Sequence, residues 1–169
     1  CGTVACCSQL GTTLRRSSMN KQRVLVIASG NQGKIREFQG LLSHLPLEVR
    51  PQPAEIDVEE TGTTFAANAR LKALAVATST GVWALADDSG LSIDGLDGAP
   101  GVHSARYAPT DPERIEKVLL ALEGQRERSA HFSAALCVAA PDGTVLLEVE
   151  GRCDGRITEA PRGDQGFGY

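Results

Sequence analysis

The sequence predicts an α/β domain built on a mixed sheet flanked by helices. Three observations carry that prediction. Apolar, β-branched runs alternate with segments of helical periodicity through the first part of the chain. The first run, residues 23–29 (RVLVIAS), is apolar in nearly every position, as suits a strand buried on both faces. Two late runs are joined by Pro141-Asp142-Gly143, a hairpin signal. Strand–helix alternation followed by a hairpin gives parallel and antiparallel pairs in one sheet.

The elements follow in order. Gly30, Asn31 and Gly33 break the first strand, and a helix is expected over 34–45, where Ile35, Phe38, Leu41, Leu42 and Leu45 share a face. Pro46 closes it, and 47–50 reads as a second strand. Residues 51–62 form an acidic loop. Thr63 or Thr64 then caps a long alanine-rich helix to about Ser79, with Gly81 as its stop. A strand over 82–86 runs into Asp87-Asp88-Ser89-Gly90, followed by a Gly- and Asp-rich stretch to Tyr107. Asp111 opens a helix with the stripe Ile115, Val118, Leu119 and Leu122, ended by Gly124. Strands over 131–140 and 144–150 make the hairpin, and Ile157 suggests one more short strand.

Composition narrows the function classes. The chain has 169 residues, enough for one domain with its own core. A net charge of −4 argues against a general grip on nucleic acid but leaves room for a small anionic ligand held by a few cations. No apolar run approaches the roughly 18 residues of a membrane span, so no membrane partner is expected. Residues 1–18 hold three of the five cysteines, two arginines and no acid. They read as upstream or leader sequence ahead of Met19, with a transit peptide as the alternative, and 19–169 reads as the domain. Cys137 and Cys153 lack any metal-ligand spacing, so a reducing, cytoplasmic setting is expected.

Several segments suit chemistry. Ser29-Gly30-Asn31-Gln32-Gly33-Lys34 lies between a strand and a helix, where backbone N–H groups and the helix N-terminus favour an anion; the alternative is an ordinary turn. Its glycine spacing is not that of a P-loop. Glu59-Glu60 and Asp87-Asp88 are paired acids, the latter after a buried strand, where two adjacent carboxylates need a cation or hydrogen bonds. Mg²⁺ suits such a pair; a metal-free Asp-Ser-Gly turn is the alternative. Asn68 and Lys72 share a helical face that either lines a polar site or is simply solvated. Residues 98–107 set Arg106 in a frame of Gly and Pro, ready for a phosphate. Gly166, Phe167, Gly168 and Tyr169 either form a base-stacking platform or a plain turn. Together these describe a site for a polyphosphate with Mg²⁺.

With those residues in hand, the sequence resembles the Ham1/RdgB-like inosine triphosphate pyrophosphatases over residues 24–169. The markers are SGNQGK (29–34), EETG (59–62), FAANARLKA (65–73), ADDSG (86–90), GAPGVHSARYA (98–108) and PRGDQGFGY (161–169). The resemblance implies two lobes about a central cleft and hydrolysis of ITP, dITP and XTP to the monophosphate and pyrophosphate, with Mg²⁺, in a homodimer. It implies that Ser29, Asn31 and Lys34 hold the phosphates with Lys72 assisting. Gly30, Gln32, Gly33, Asn68, Ser89, Arg106 and Gly168 complete the expected substrate contacts. Glu59 and Asp88 would bind Mg²⁺ with Asp87 close by, Asp88 would activate water, and Phe167 and Tyr169 would border the base. The family motif continues past Tyr169 with an Asp and a tail carrying a Lys and Ser-His-Arg, so the domain reads as C-terminally truncated. A binding-only homologue is the non-enzymatic alternative, and an enzyme cleaving the β–γ bond the enzymatic one.

Overall fold

The computed structural model describes residues 23–163 and 168–169. The expected leader over 1–18, and Phe167, lie outside the described residues. The elements are β1 (Arg23–Ile27), α1 (Gln32–Leu41), β2 (Leu47–Pro51), α2 (Phe65–Thr80), β3 (Trp83–Ile93), α3 (Asp111–Ala121), β4 (Ser129–Ala139) and β5 (Val145–Arg156). Short 3₁₀ helices occupy Asp94–Leu96 and Gly101–Arg106. All strands join one sheet in the order β2-β1-β3-β4-β5. β1 pairs in parallel with β2 and β3, while β3–β4 and β4–β5 are antiparallel, so the sheet is mixed as expected.

Alternation along the strands decides which helix covers which face. Leu25, Ile27 and Leu85 pack with Ile35 of α1. Val26, Ala28, Ala84 and Ala86 pack with Ala69, Ala73, Val76 and Ala77 of α2. The alanines of α2 recur at helical spacing and let the helix lie close to the sheet, where Ala135, Cys137 and Ala139 of β4 complete the cluster. A separate cluster, Leu91, Ile93, Val118, Leu122 and Ala130, roots α3 on the far half of β3 and β4. Truncating the fully buried Ile27 or Ile93 to Ala would cost about 2–5 kcal/mol.

The helix ends follow local chemistry. The Asn31 side chain caps α1, which therefore starts at Gln32 instead of Lys34 and ends at Leu41 instead of Leu45. Thr64 caps α2, and Gly81, with φ of 70°, ends it in the left-handed conformation. Thr110 and Glu113 form a capping box on α3.

Two strand boundaries differ from expectation. β3 does not stop at Ala86; it runs through Asp87, Asp88, Ser89 and Gly90 to Ile93, paired residue for residue with β4. The acids tolerate mid-strand positions because each finds a hydrogen-bond donor on its own face. β5 likewise runs on to Arg156, absorbing the extra strand expected near Ile157.

Candidate active site

The site is assembled around the middle of β3, between the two helix layers. On the α1 face, Lys34 places Nζ 2.5 Å from Asp87 Oδ2 and donates to Ser89 Oγ at 3.2 Å. The turn ahead of it is held by its own side chains. Ser29 Oγ accepts the Asn31 N–H at 3.1 Å, and Asn31 Oδ1 accepts the N–H groups of Gly33 and Lys34 at 2.8 and 3.3 Å. Two donors expected to face an anion are thus capped by Asn31. Gly30 and Gln32 are exposed beside it, and a Cβ on Gly30 would meet nothing within 4 Å.

On the α2 face, Asp88 Oδ2 accepts the Asn68 Nδ2–H at 3.0 Å and Oδ1 accepts the Ser89 N–H at 3.0 Å. Lys72 Nζ lies 3.9 Å from Asp88 Oδ1 and 2.8 Å from Glu60 Oε1. Arg106 reaches the other oxygen of Glu60 at 3.2 Å. Burial pushes the Asp88 carboxyl above the usual carboxylate range and Glu60 adds to this, against the opposing pull of Asn68, Lys72 and the Ser89 N–H. A carboxyl raised in this way, beside cations, is the pattern of a group prepared to take a proton.

Three details depart from the sequence reading. Asn68, expected to contact substrate, is fully buried, with its carboxamide engaged by Asp88 and by the Gly62 N–H. It stands behind the site, not in it. The acidic loop contributes Glu60 to the ion-pair cluster, while Glu59 is exposed. The sequence alone did not separate the two; the docking of Gly62 on α2 decides which glutamate faces Lys72. Asp87 and Asp88 do not crowd each other after a strand end but project to opposite faces.

The chain's last residues close the other end. Gly168 donates its N–H to Asp111 Oδ2 at 2.8 Å, and the Tyr169 hydroxyl donates to the Ser104 carbonyl at 2.8 Å. Burial pushes the Tyr169 phenol up to about 12. Ser104 in turn accepts the Leu91 N–H at 2.9 Å and donates to the Gly101 carbonyl at 2.6 Å, fixing the 3₁₀ helix that carries Arg106. A cavity of about 490 Å³ opens here, lined by Leu91, Asp111, Phe132, Gly168 and Tyr169. Ser104 and Asp111 were missed in the sequence, the former hidden inside a motif and the latter read only as a helix start. A larger groove of about 770 Å³ runs along α3, away from the carboxylates, and is lined by Ile115, Leu119 and Leu120 without a converging set of cations.

Among the described residues no three His, Cys, Asp or Glu side chains form a ready metal cage. What converges is carboxylates paired with cations. No helix of the described residues is long and apolar enough to cross a membrane.

Comparison with known proteins identifies the family and the fold. A dITP/XTP pyrophosphatase of Parasynechococcus marenigrum is 76% identical over 147 residues, covering 87% of this chain and 75% of the relative. One from Synechocystis is 55% identical over 145 residues, covering 86% and 75%. A HAM1 protein structure from Coxiella burnetii superposes with a TM-score of 0.80 at 45% identity, covering 87% of this chain and 79% of that one. The Staphylococcus aureus Ham1 protein gives 0.77 at 38%, covering 87% and 78%. The Ham1 family model matches residues 25–169, and with it the SGNQGK turn, the acids of β3 and the Tyr169 end, so the chain belongs to the Ham1 family.

Proposed function

We propose that this protein hydrolyses non-canonical purine nucleoside triphosphates, dITP, XTP and ITP, to the monophosphate and pyrophosphate. The observation that carries the reading is Asp88: a buried carboxyl with a raised pKa, within reach of Lys72 and one ion pair away from Arg106. The activity for which the relatives are named, dITP/XTP pyrophosphatase, supports it.

Asp88 takes a proton from the attacking water, and its raised pKa makes it a stronger base than an ordinary carboxylate. Lys34, Lys72 and Arg106 hold the triphosphate and stabilise charge building on the pyrophosphate leaving group. Gln32 and the backbone of Gly30 and Gly33 border the phosphates, with Ser29, Asn31 and Ser89 as further polar contacts. Gly168 and Tyr169 would border the base, beside the cavity of about 490 Å³ that they line. Donors aimed at a purine 6-oxo group would be left unpaired by a 6-amino group, which disfavours adenine.

The donor set suits Mg²⁺. It is made of hard carboxylate oxygens, and Asp87 Oδ1 is buried without a hydrogen-bond partner among the described residues. Mg²⁺ takes one or two carboxylates and fills its shell with phosphate and water oxygens, so a three-ligand protein cage is not needed. Asp88 and Glu59 would hold it, with Asp87 close by along the strand but turned to the α1 face. Bound there, Mg²⁺ supplies positive charge to the polyphosphate oxygens. A cytoplasmic homodimer is the corresponding compartment and assembly.

Product analysis tests the reading. Pyrophosphate and the monophosphate are expected from dITP; orthophosphate would mean cleavage at the β–γ bond. Asp88→Asn should reduce turnover by roughly a hundredfold or more while nucleotide still binds.

A further inference from the structure

We infer that Asn68 is a positioning residue: its carboxamide joins the Glu59–Gly62 loop to Asp88 and sets both for the reaction. The inference rests on the role given to Asp88 in the proposed function.

The geometry is specific. Asn68 is fully buried on the first turn of α2. Its Oδ1 accepts the Gly62 N–H at 2.7 Å and its Nδ2 donates to Asp88 Oδ2 at 3.0 Å. The loop presents a donor and the aspartate presents an acceptor. An amide carries one of each on the same rigid plane. An Asp at this position would offer no hydrogen to Asp88 unless protonated, and a Leu would leave two buried polar groups unpaired.

Gly62 is fitted to this contact. A Cβ there would sit 2.5 Å from Asn68 Oδ1 and 2.9 Å from the Ala67 Cβ. Only a residue without a side chain brings the loop backbone this close to α2. The consequence reaches Glu60, two residues earlier, whose carboxylate meets Lys72 one turn along the same helix. With Oδ2 held by Asn68 and Oδ1 by the Ser89 N–H, the Asp88 carboxylate is fixed in orientation. Each acceptor oxygen keeps a further lone pair for a proton.

A plain core asparagine would satisfy polar groups anywhere along its helix. Asn68 instead connects the two segments that carry the proposed chemistry, and its side chain reaches no solvent through which a substrate could touch it. Its effect on turnover should therefore pass through Asp88.

The test is a cycle of Asn68→Ala and Asp88→Asn in the whole chain, read as kcat and KM on dITP with residual turnover followed in the slow variants. Asn68→Ala should lower kcat roughly tenfold to a hundredfold with KM changed less than about threefold. Added to Asp88→Asn, it should lower the residual rate by less than about twofold. Equal losses in both backgrounds would overturn the inference, since Asn68 would then act on substrate or on the fold at large. If Asn68→Ala does not fold, Asn68→Asp replaces it, keeping the shape and the acceptor for Gly62. It should retain slow hydrogen exchange at the Gly62 amide and still lose kcat; full activity would overturn the inference. A wild-type rate in Asp88→Asn alone would bring down the proposed function instead, whatever Asn68 does.

Discussion

Asp87 and Asp88 are consecutive residues of β3 that serve opposite faces of one sheet: Lys34 from α1 meets the first at 2.5 Å, and Asn68 from α2 meets the second at 3.0 Å. Strand alternation separates two carboxylates that would otherwise repel, and gives each a different partner and a different task. One sequence dipeptide thereby ties both helix layers to the strand that carries the chemistry.

That division makes the Lys34–Asp87 pair a stability element as well as a site element. Both side chains are largely withdrawn from solvent; Lys34 meets Asp87 Oδ2, and Asp87 Oδ1 has no hydrogen-bond partner among the described residues. Lys34→Ala leaves a buried carboxylate without its cation, which should cost about 2–4 kcal/mol in urea unfolding. Adding Asp87→Asn should recover a good part of that loss. A double variant no more stable than Lys34→Ala alone would show that the pair is not what stabilises this face.

Glu60 sits where two cations converge, its oxygens 2.8 Å from Lys72 and 3.2 Å from Arg106. A carboxylate in that position competes with an incoming polyphosphate for the same charges. Glu60→Gln should therefore bind inorganic tripolyphosphate more tightly, by roughly threefold to tenfold at low salt, with the gain shrinking as salt is added. Calorimetric titration at two ionic strengths checks it. An unchanged Kd would mean that Glu60 and the polyphosphate use different positions.

Much of this arrangement was legible in the sequence, for identifiable reasons. The cap at Thr63 or Thr64, the stop at Gly81 and the hairpin at 141–143 are local signals, and the structure keeps them, with Thr64 as the cap. The mixed sheet followed from alternation and the late hairpin. β3 was read too short because two acids and a glycine are poor strand formers by propensity. They are strand residues here because Lys34, Asn68 and the Gly101–Arg106 segment, all distant in sequence, come to meet them. The choice of Glu60 over Glu59 and the burial of Asn68 depend on the same kind of long-range contact. Periodicity places a residue on a face; it does not say which loop will dock there.

Gly90 gives a steric test of one of those contacts. Its backbone needs no left-handed conformation, but a Cβ would come within 2.5 Å of Ser104 Oγ, 2.6 Å of the Gly101 carbonyl oxygen and 2.9 Å of the Phe65 ring. Two of these are atoms of the segment that carries Arg106. Gly90→Ala should destabilise the fold by about 1–3 kcal/mol and displace that segment, weakening nucleotide binding along with it. A thermal midpoint equal to that of the parent would show that the 3₁₀ helix is free to move away.

The Tyr169 hydroxyl ties the end of the chain to the same segment, and its titration gives the sign of an alkaline effect. The phenol ionises at about 12 in the folded protein and near its ordinary value of about 10 when unfolded. Between those values the folded state holds a proton that the unfolded state has released. Stability contributed by this group is therefore complete below pH 10 and falls as pH climbs toward 12. Ionisation also removes the hydrogen that Tyr169 donates to the Ser104 carbonyl, so the loss of stability and the release of the segment coincide. Tyr169→Phe should cost about 0.5–1.5 kcal/mol at neutral pH and show a shallower decline above pH 10. Unfolding curves from pH 8 to 11.5 check both parts; parallel declines in the two proteins would mean that the phenol is no better shielded folded than unfolded.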